Sequence, residues 1–418
     1  MIEVITLDNG LRVATETMSD VASVALGFWV GVGSRDEPAS MAGASHFLEH
    51  LLFKGTPTRS AKDIAEAIDS VGGEMNAFTT KEYTAFYVRV LYQHVGLALE
   101  ILTDIISSPM FRSHEVEAER KVILEEILMQ LDEPSEVVHD LFLSSAFQGH
   151  PLARPVLGSE KSITSMTIED INNFFTNYYH PSNMVFACAG RIERSLILEI
   201  LNKNFAPKTT KKVIPFRNRP AELVQKTSLQ SRDIEQVHLI LGVRSLDRFD
   251  QDKWALNVLD QILGGGLSSR LFQQIREDLG LAYSVYTHSS FFHDAGVFGV
   301  YVATAASHVK QVIDLIVSNF NEVAKDGVGQ KELNVAKASL QADLVMSLED
   351  SGSRMTRIGQ ALLLQGHILS VEQIIEKIDQ VDLERVCSVA SKVLTNPKIL
   401  TALGPIEQLD LDLAALIS

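Results

Sequence analysis

The sequence predicts an α+β protein of two similar halves, each a mainly antiparallel sheet packed with helices. Three observations predict it. The chain has 418 residues, more than one hydrophobic core usually serves. Strand-like runs alternate with longer helical periodicities, such as Ile64, Ile68 and Val71 early and Val309, Ile313, Ile316 and Phe320 late. The chain also repeats itself: HPSNMVFACAGRIE from His180 to Glu193 has a counterpart in NPKILTALGPIE from Asn396 to Glu407, and both read as turn, buried strand, Gly.

In chain order, Met1-Ile2-Glu3-Val4 enters a strand-like alternation without the basic start and apolar stretch of a secretory signal. This sets the expectation of a cytoplasmic protein, or of a mature form already trimmed. The strand Ala22 to Val32 leads through a charged turn to a helix over Ser45 to Phe53, with Ser45 as its N-cap. A second helix over Ser113 to Gln130 opens with Ser and an acidic first turn. Residues 1–206 form the first half, and a linker at 207–222 follows. The second half, 223–418, restarts the pattern: the strand Val237 to Val243, the charged stretch Asp247 to Asp252, then a helix.

Composition excludes several classes. Apolar residues make up 46% and charged residues 22%, and no apolar run approaches the ~20 residues of a membrane-spanning helix. Cys188 and Cys387 lie in apolar patterns without CxxC spacing, as reduced buried thiols do. The net charge of −16 argues against nucleic acid, whose phosphates need clustered Lys and Arg. The basic cluster Lys208, Lys211, Lys212, Arg217 and Arg219 falls in the linker. The acidity reads first as a solubilising surface and second as an attraction for basic peptides at an enclosed site.

One constellation carries chemistry. His46 and His50 are four residues apart on a helix, so both imidazoles project from one face and can reach one ion. Glu49, three residues after His46, places a carboxylate beside that ion as a base for bound water. Catalytic zinc takes three protein ligands and keeps a fourth position open. The acidic helix downstream offers the third: Glu126, with Glu119 seven residues earlier on the same face to orient an imidazole. Glu125 competes, about 100° around the helix. Aligning the halves puts Asn257-Val258-Leu259-Asp260-Gln261 where the first has His46-Phe47-Leu48-Glu49-His50. A packing requirement would persist in both copies, whereas a metal site is needed once. The same donors also bind manganese and cobalt.

HFLEH is an inverted zinc motif, and its surroundings resemble the pitrilysin and mitochondrial processing peptidase family of zinc metallopeptidases. The resemblance extends through Leu51-Leu52-Phe53-Lys54-Gly55-Thr56, Gly72-Gly73-Glu74-Met75-Asn76-Ala77-Phe78-Thr79, the Glu119 to Glu126 helix, His150-Pro151-Leu152 and Ser269-Arg270-Leu271-Phe272. It implies Glu126 as third ligand, about 76 residues beyond the second His, and Glu119 as acidic helper. It implies Arg276 and Tyr283 of the metal-free half as substrate-contacting residues, and one zinc ion per chain. It also implies that the halves pair into a clam-shell chamber, which for a chain of this length means a dimer, expected to be of identical chains. A catalytic subunit working with a metal-free partner and a non-catalytic scaffold are the alternatives within the resemblance. Substrate backbone is expected to pair with a sheet edge at Asn76, Ala77, Phe78 and Thr79, a short strand between a Gly-terminated helix and a turn.

Overall fold

The structure is a computed structural model that describes residues 2–205, 215, 217–223 and 225–408. Most of the expected linker, with Lys208, Lys211 and Lys212, lies outside the described residues. Among the described residues no helix is long and apolar enough to cross a membrane. The chain forms two compact units, each discontinuous in sequence: 1–128, 154–216 and 346–369 make the first, and 129–153, 217–345 and 370–418 the second. Each of the linear halves expected from the sequence therefore gives one segment to the other's unit.

The first unit holds a six-stranded sheet. Its strands are β1 (Ile2–Thr6), β2 (Arg12–Thr17), β3 (Ser23–Val30), β4 (Glu74–Thr79), β5 (Thr84–Leu91) and β6 (Met184–Gly190), in the order β1-β2-β6-β3-β5-β4. The pairings are antiparallel except between β2 and β6. Side chains of a strand alternate between faces, and in β3 both sets are apolar. Val24, Leu26, Phe28 and Val30 enter the main core with Phe47, Leu48 and Leu51. Ala25 and Trp29 point the other way, where Met355, Ile358 and Leu362 of the helix Ser351–Leu364 cover them. That helix starts where the Asp350 side chain accepts from the Ser353 amide at 2.9 Å. Burying its three large apolar residues contributes about 2 kcal/mol each. Gly359 lets it approach, since a Cβ there would lie 2.6 Å from the Trp29 ring. Polar ties fix the fit: Arg12 donates to the Leu362 carbonyl at 2.7 Å, and Arg354 pairs with Glu16 at 2.6 Å.

The second unit repeats the plan with β7 (Lys226–Ser231), β8 (Val237–Ser245), β9 (Ala282–Phe291), β10 (Gly296–Thr304) and β11 (Lys398–Gly404), ordered β7-β11-β8-β10-β9. Again one pair is parallel, β7 with β11, and the rest are antiparallel. Strand for strand this matches β2-β6-β3-β5-β4, with β1 an addition to the first unit. One face packs Leu239, Leu241, Val300 and Val302 against Leu256 and Leu259 of the helix Lys253–Leu263. The other packs Ile240, Val297 and Tyr301 against Val138, Phe142 and Ala146 of the helix Pro134–Ala146, which begins with the favoured N-terminal Pro. The two units have thus exchanged a helix.

Candidate metal centre

All the motif residues lie in the first unit. The helix Ala44–Leu51 presents His46 and His50 from successive turns, with ring centroids 4.7 Å apart. The helix Ser113–Leu131 presents Glu126 to both. Its Oε2 lies 3.6 Å from His46 Nε2 and 3.4 Å from His50 Nε2. The edges of a tetrahedron around zinc, at bond lengths near 2.0–2.1 Å, are about 3.3 Å. These separations are long for hydrogen bonds and fit donors arranged around one ion. The two imidazoles and Glu126 form the group whose ligating atoms all lie within 4.8 Å of one another among the described residues. Glu125 is exposed and outside that group.

The imidazoles are held differently. His50 Nδ1 lies 3.1 Å from Glu119 Oε2, and the other Glu119 oxygen pairs with Lys54 Nζ at 2.8 Å. An Nδ1–H donated to Glu119 leaves Nε2 with its lone pair towards Glu126, the tautomer a ligand needs. His46 is 8% exposed, and its Nδ1 is buried without a hydrogen-bond partner among the described residues. Burial, and then the neighbouring His50, push its pKa down to about 3, so the ring is neutral and able to donate a lone pair.

Glu49 is half-buried on the same helix and accepts from Thr79 Oγ1 on β4 at 2.7 Å. Burial raises its carboxyl above the usual range, while the Thr79 hydroxyl and His50 pull it down. A carboxyl shifted upwards is a better proton acceptor at neutral pH.

The expected substrate strand is the sheet edge, β4, but its side chains are used internally. Thr79 holds Glu49, Phe78 packs edge-on against Tyr83 and Tyr87, Ala77 is buried, and the exposed Asn76 accepts from the Ala77 amide. Arg276 and Tyr283 lie in the second unit, Arg276 on the helical segment Phe272–Asp278 and Tyr283 at the start of β9. The guanidinium sits 4.4 Å from the Tyr283 ring centroid, and Tyr283 is 79% exposed.

Sequence reasoning missed how the motif helix is capped. Ser45 does not cap it: the N-cap is Gly43, with φ 93°, and it has no side chain to offer. The cap comes from Glu37, whose two oxygens accept from the Gly43 and Ser45 amides at 2.7 Å each. Burial pushes the Glu37 carboxyl up, while those two amides and Arg154 pull it down, and because each oxygen accepts from an N–H it is held as the carboxylate. No helical spacing links residues 37 and 43–45, so no periodic signal could have found it.

Comparison with known proteins gives a consistent picture. The family model for insulinase, peptidase family M16, matches residues 12–160, and the model for the peptidase M16 inactive domain matches 165–340. An uncharacterised zinc protease of Mycobacterium bovis is 44% identical over 96% of this chain and 92% of its own length. The uncharacterised zinc protease YmxG of Bacillus subtilis is 38% identical over 97% and 98%. Among solved structures, a protease from Helicobacter pylori superposes with a TM-score of 0.90 at 24% identity, covering 96% of this chain and 99% of that one.

Proposed function

The chain belongs to peptidase family M16, the insulinase family, and on that premise we propose that it is a zinc metalloendopeptidase hydrolysing peptide bonds in peptides and unfolded segments. The observation that carries the reading is two neutral-capable imidazole nitrogens and one carboxylate oxygen converging beside a separately held carboxylate. His46, His50 and Glu126 hold the metal, one ion per chain. A zinc ion there supplies Lewis acidity, polarising a carbonyl and making bound water acidic.

The protein's own groups do the rest. Glu49 takes the proton of the attacking water on the oxygen that Thr79 leaves available, and later delivers it to the departing amine. Thr79 stops the carboxylate from rotating away. Glu119, tied to Lys54, keeps His50 in the required tautomer. Arg276 and Tyr283 take the roles that the resemblance implies, Arg276 holding substrate backbone and Tyr283 donating to the developing oxyanion. The edge of β4 at Asn76–Thr79 pairs with extended substrate through its backbone. We further propose a homodimer in the cytoplasm.

The test is metal content and cleavage of a mixed unstructured peptide pool by the purified chain, with and without chelator. One zinc per chain and chelator-sensitive cleavage are expected. Bound zinc without cleavage points to a missing partner subunit, and a chain that takes up no metal ends the proposal. Size measurement in solution checks the dimer.

A further inference from the structure

The motif helix is short, eight residues, and its N-terminus is enclosed. A Cβ on Gly43 would meet the Leu157 carbonyl oxygen and Ile163 Cδ1 at 2.7 Å, so no capping side chain can stand at that position. The first amides of a helix have no partner within it, and a buried N–H left unpaired is costly. An acceptor must therefore come from elsewhere in the chain, and Glu37, 4% exposed, supplies it. A carboxylate also suits the positive end of the helix.

Glu37 is itself held in place. Arg154 donates to the backbone carbonyls of Glu37 at 2.7 Å and Arg35 at 3.1 Å. Arg35 forms an ion pair with Glu82 at 2.7 Å, both side chains 2% exposed. The same loop is stitched to the turn after β4, where the Ser34 amide donates to Thr80 and the Arg35 amide to Lys81. Thr80 follows Thr79, the residue that holds Glu49. One buried frame thus fixes both the helix that bears His46, Glu49 and His50 and the strand end that bears the hydroxyl for Glu49.

Resting on the metal-site reading above, we propose that Glu37 is a positioning residue of the centre: through the Gly43 and Ser45 amides it sets where His46, Glu49 and His50 stand against Glu126 and Thr79. It touches neither metal nor substrate. The consequence is that metal affinity and the alignment of the base depend on a carboxylate nine residues before the first ligand.

Glu37→Gln tests this, because it keeps the volume and replaces one accepting oxygen with an NH2 group that faces an amide donor. Three measurements are compared with the parent protein: cobalt affinity by chelator competition, the visible spectrum of the cobalt-loaded protein, and amide exchange along residues 44–51 with β10 as internal reference. Glu37→Gln is expected to lower cobalt affinity about tenfold or more, shift the cobalt bands, and speed exchange at Ser45 and Phe47 while β10 stays protected. Glu37→Ala should exaggerate these changes if it folds, and Glu37→Gln decides if it does not. Unchanged affinity, spectrum and helix exchange overturn the proposal, as does a general loss of thermal stability with an unaltered spectrum. If the parent protein binds no cobalt or zinc, the metal reading fails, and helix exchange still decides whether Glu37 seats the helix.

Discussion

In the first unit Glu49 accepts from Thr79 on β4 at 2.7 Å, and in the second Asp260 accepts from Ser289 on β9 at 2.7 Å. Both carboxyls are pushed up by burial and pulled down by those hydroxyls. The pairing of a helix carboxylate with an edge-strand hydroxyl therefore belongs to the architecture and is present with or without a metal site. The neighbours differ. Where the first unit has two imidazoles facing Glu126, the second has Asn257 and Gln261, and Gln261 donates to Ser339 on the helix Gln330–Ser347 at 2.8 Å. Neutral amide and hydroxyl groups satisfy one another there, whereas the first unit leaves three lone-pair donors facing a common point. The proposed function thus falls on the residues that differ, on a frame that both units share.

The sharpest way to break this comparison is at the carboxylates. Glu49→Gln is expected to retain zinc and reduce cleavage by about 10²–10⁴-fold, while Asp260→Asn leaves zinc and cleavage within a few-fold; equal losses in both variants would show that the pair acts structurally. Next comes Glu126→Ala, which removes one of the three proposed ligands. Zinc content after dialysis should fall towards zero, and a full metal load would return the ligand to Glu125. Gly359→Ala probes the exchanged helix: a methyl against Trp29 should cost about 1–3 kcal/mol in chemical denaturation, and no loss would mean the helix seats loosely.

Acid stability gives a smaller, graded test in the second unit. His288 is pushed down to about 3 by burial and then by His139, itself shifted down by burial. A histidine kept neutral in the fold binds a proton only on unfolding. Its stabilisation is present above the ordinary value near 6.5 and is lost as pH falls from there towards 3, by at most about 1.4 kcal/mol per pH unit for each proton. Unfolding midpoints between pH 7 and pH 5 should decline less steeply in His288→Gln, and identical slopes would locate the acid sensitivity elsewhere. The smallest expected effect is a null one. Asn257→His with Gln261→His should not raise zinc above one per chain, because the group that meets Gln261 from the facing helix is the Ser339 hydroxyl and not a carboxylate.

Much of this was legible in the sequence because it is local or periodic. A four-residue spacing puts His46 and His50 on one face, and the seven between Glu119 and Glu126 does the same on the partner helix. The repeat predicted two sheets of like order, since turn, strand and Gly at 180–193 and 396–407 mark β6 and β11. Three features were not legible. Glu37 reaches its amides from a loop, outside any helical register. Thr79 read as part of a substrate strand, and only its distance from Glu49 reveals the hydroxyl's other use. The helix exchange depends on contacts such as Trp29 with Ile358, and an amphipathic pattern says that a helix needs a sheet without saying which one.

That exchange also sets a timetable during synthesis. All six strands of the first sheet have been synthesised once Gly190 is added, but the helix that covers Trp29 begins about 160 residues later, at Ser351. At roughly 5–20 residues per second, the uncovered face waits roughly 10–30 s for its lid. The second sheet has the opposite history, its covering helix Pro134–Ala146 being complete before β7 is begun. The face around Trp29 thus stays without its covering helix through that interval, and a stop codon between Gly190 and Ser351 would keep the sheet's strands while removing their cover.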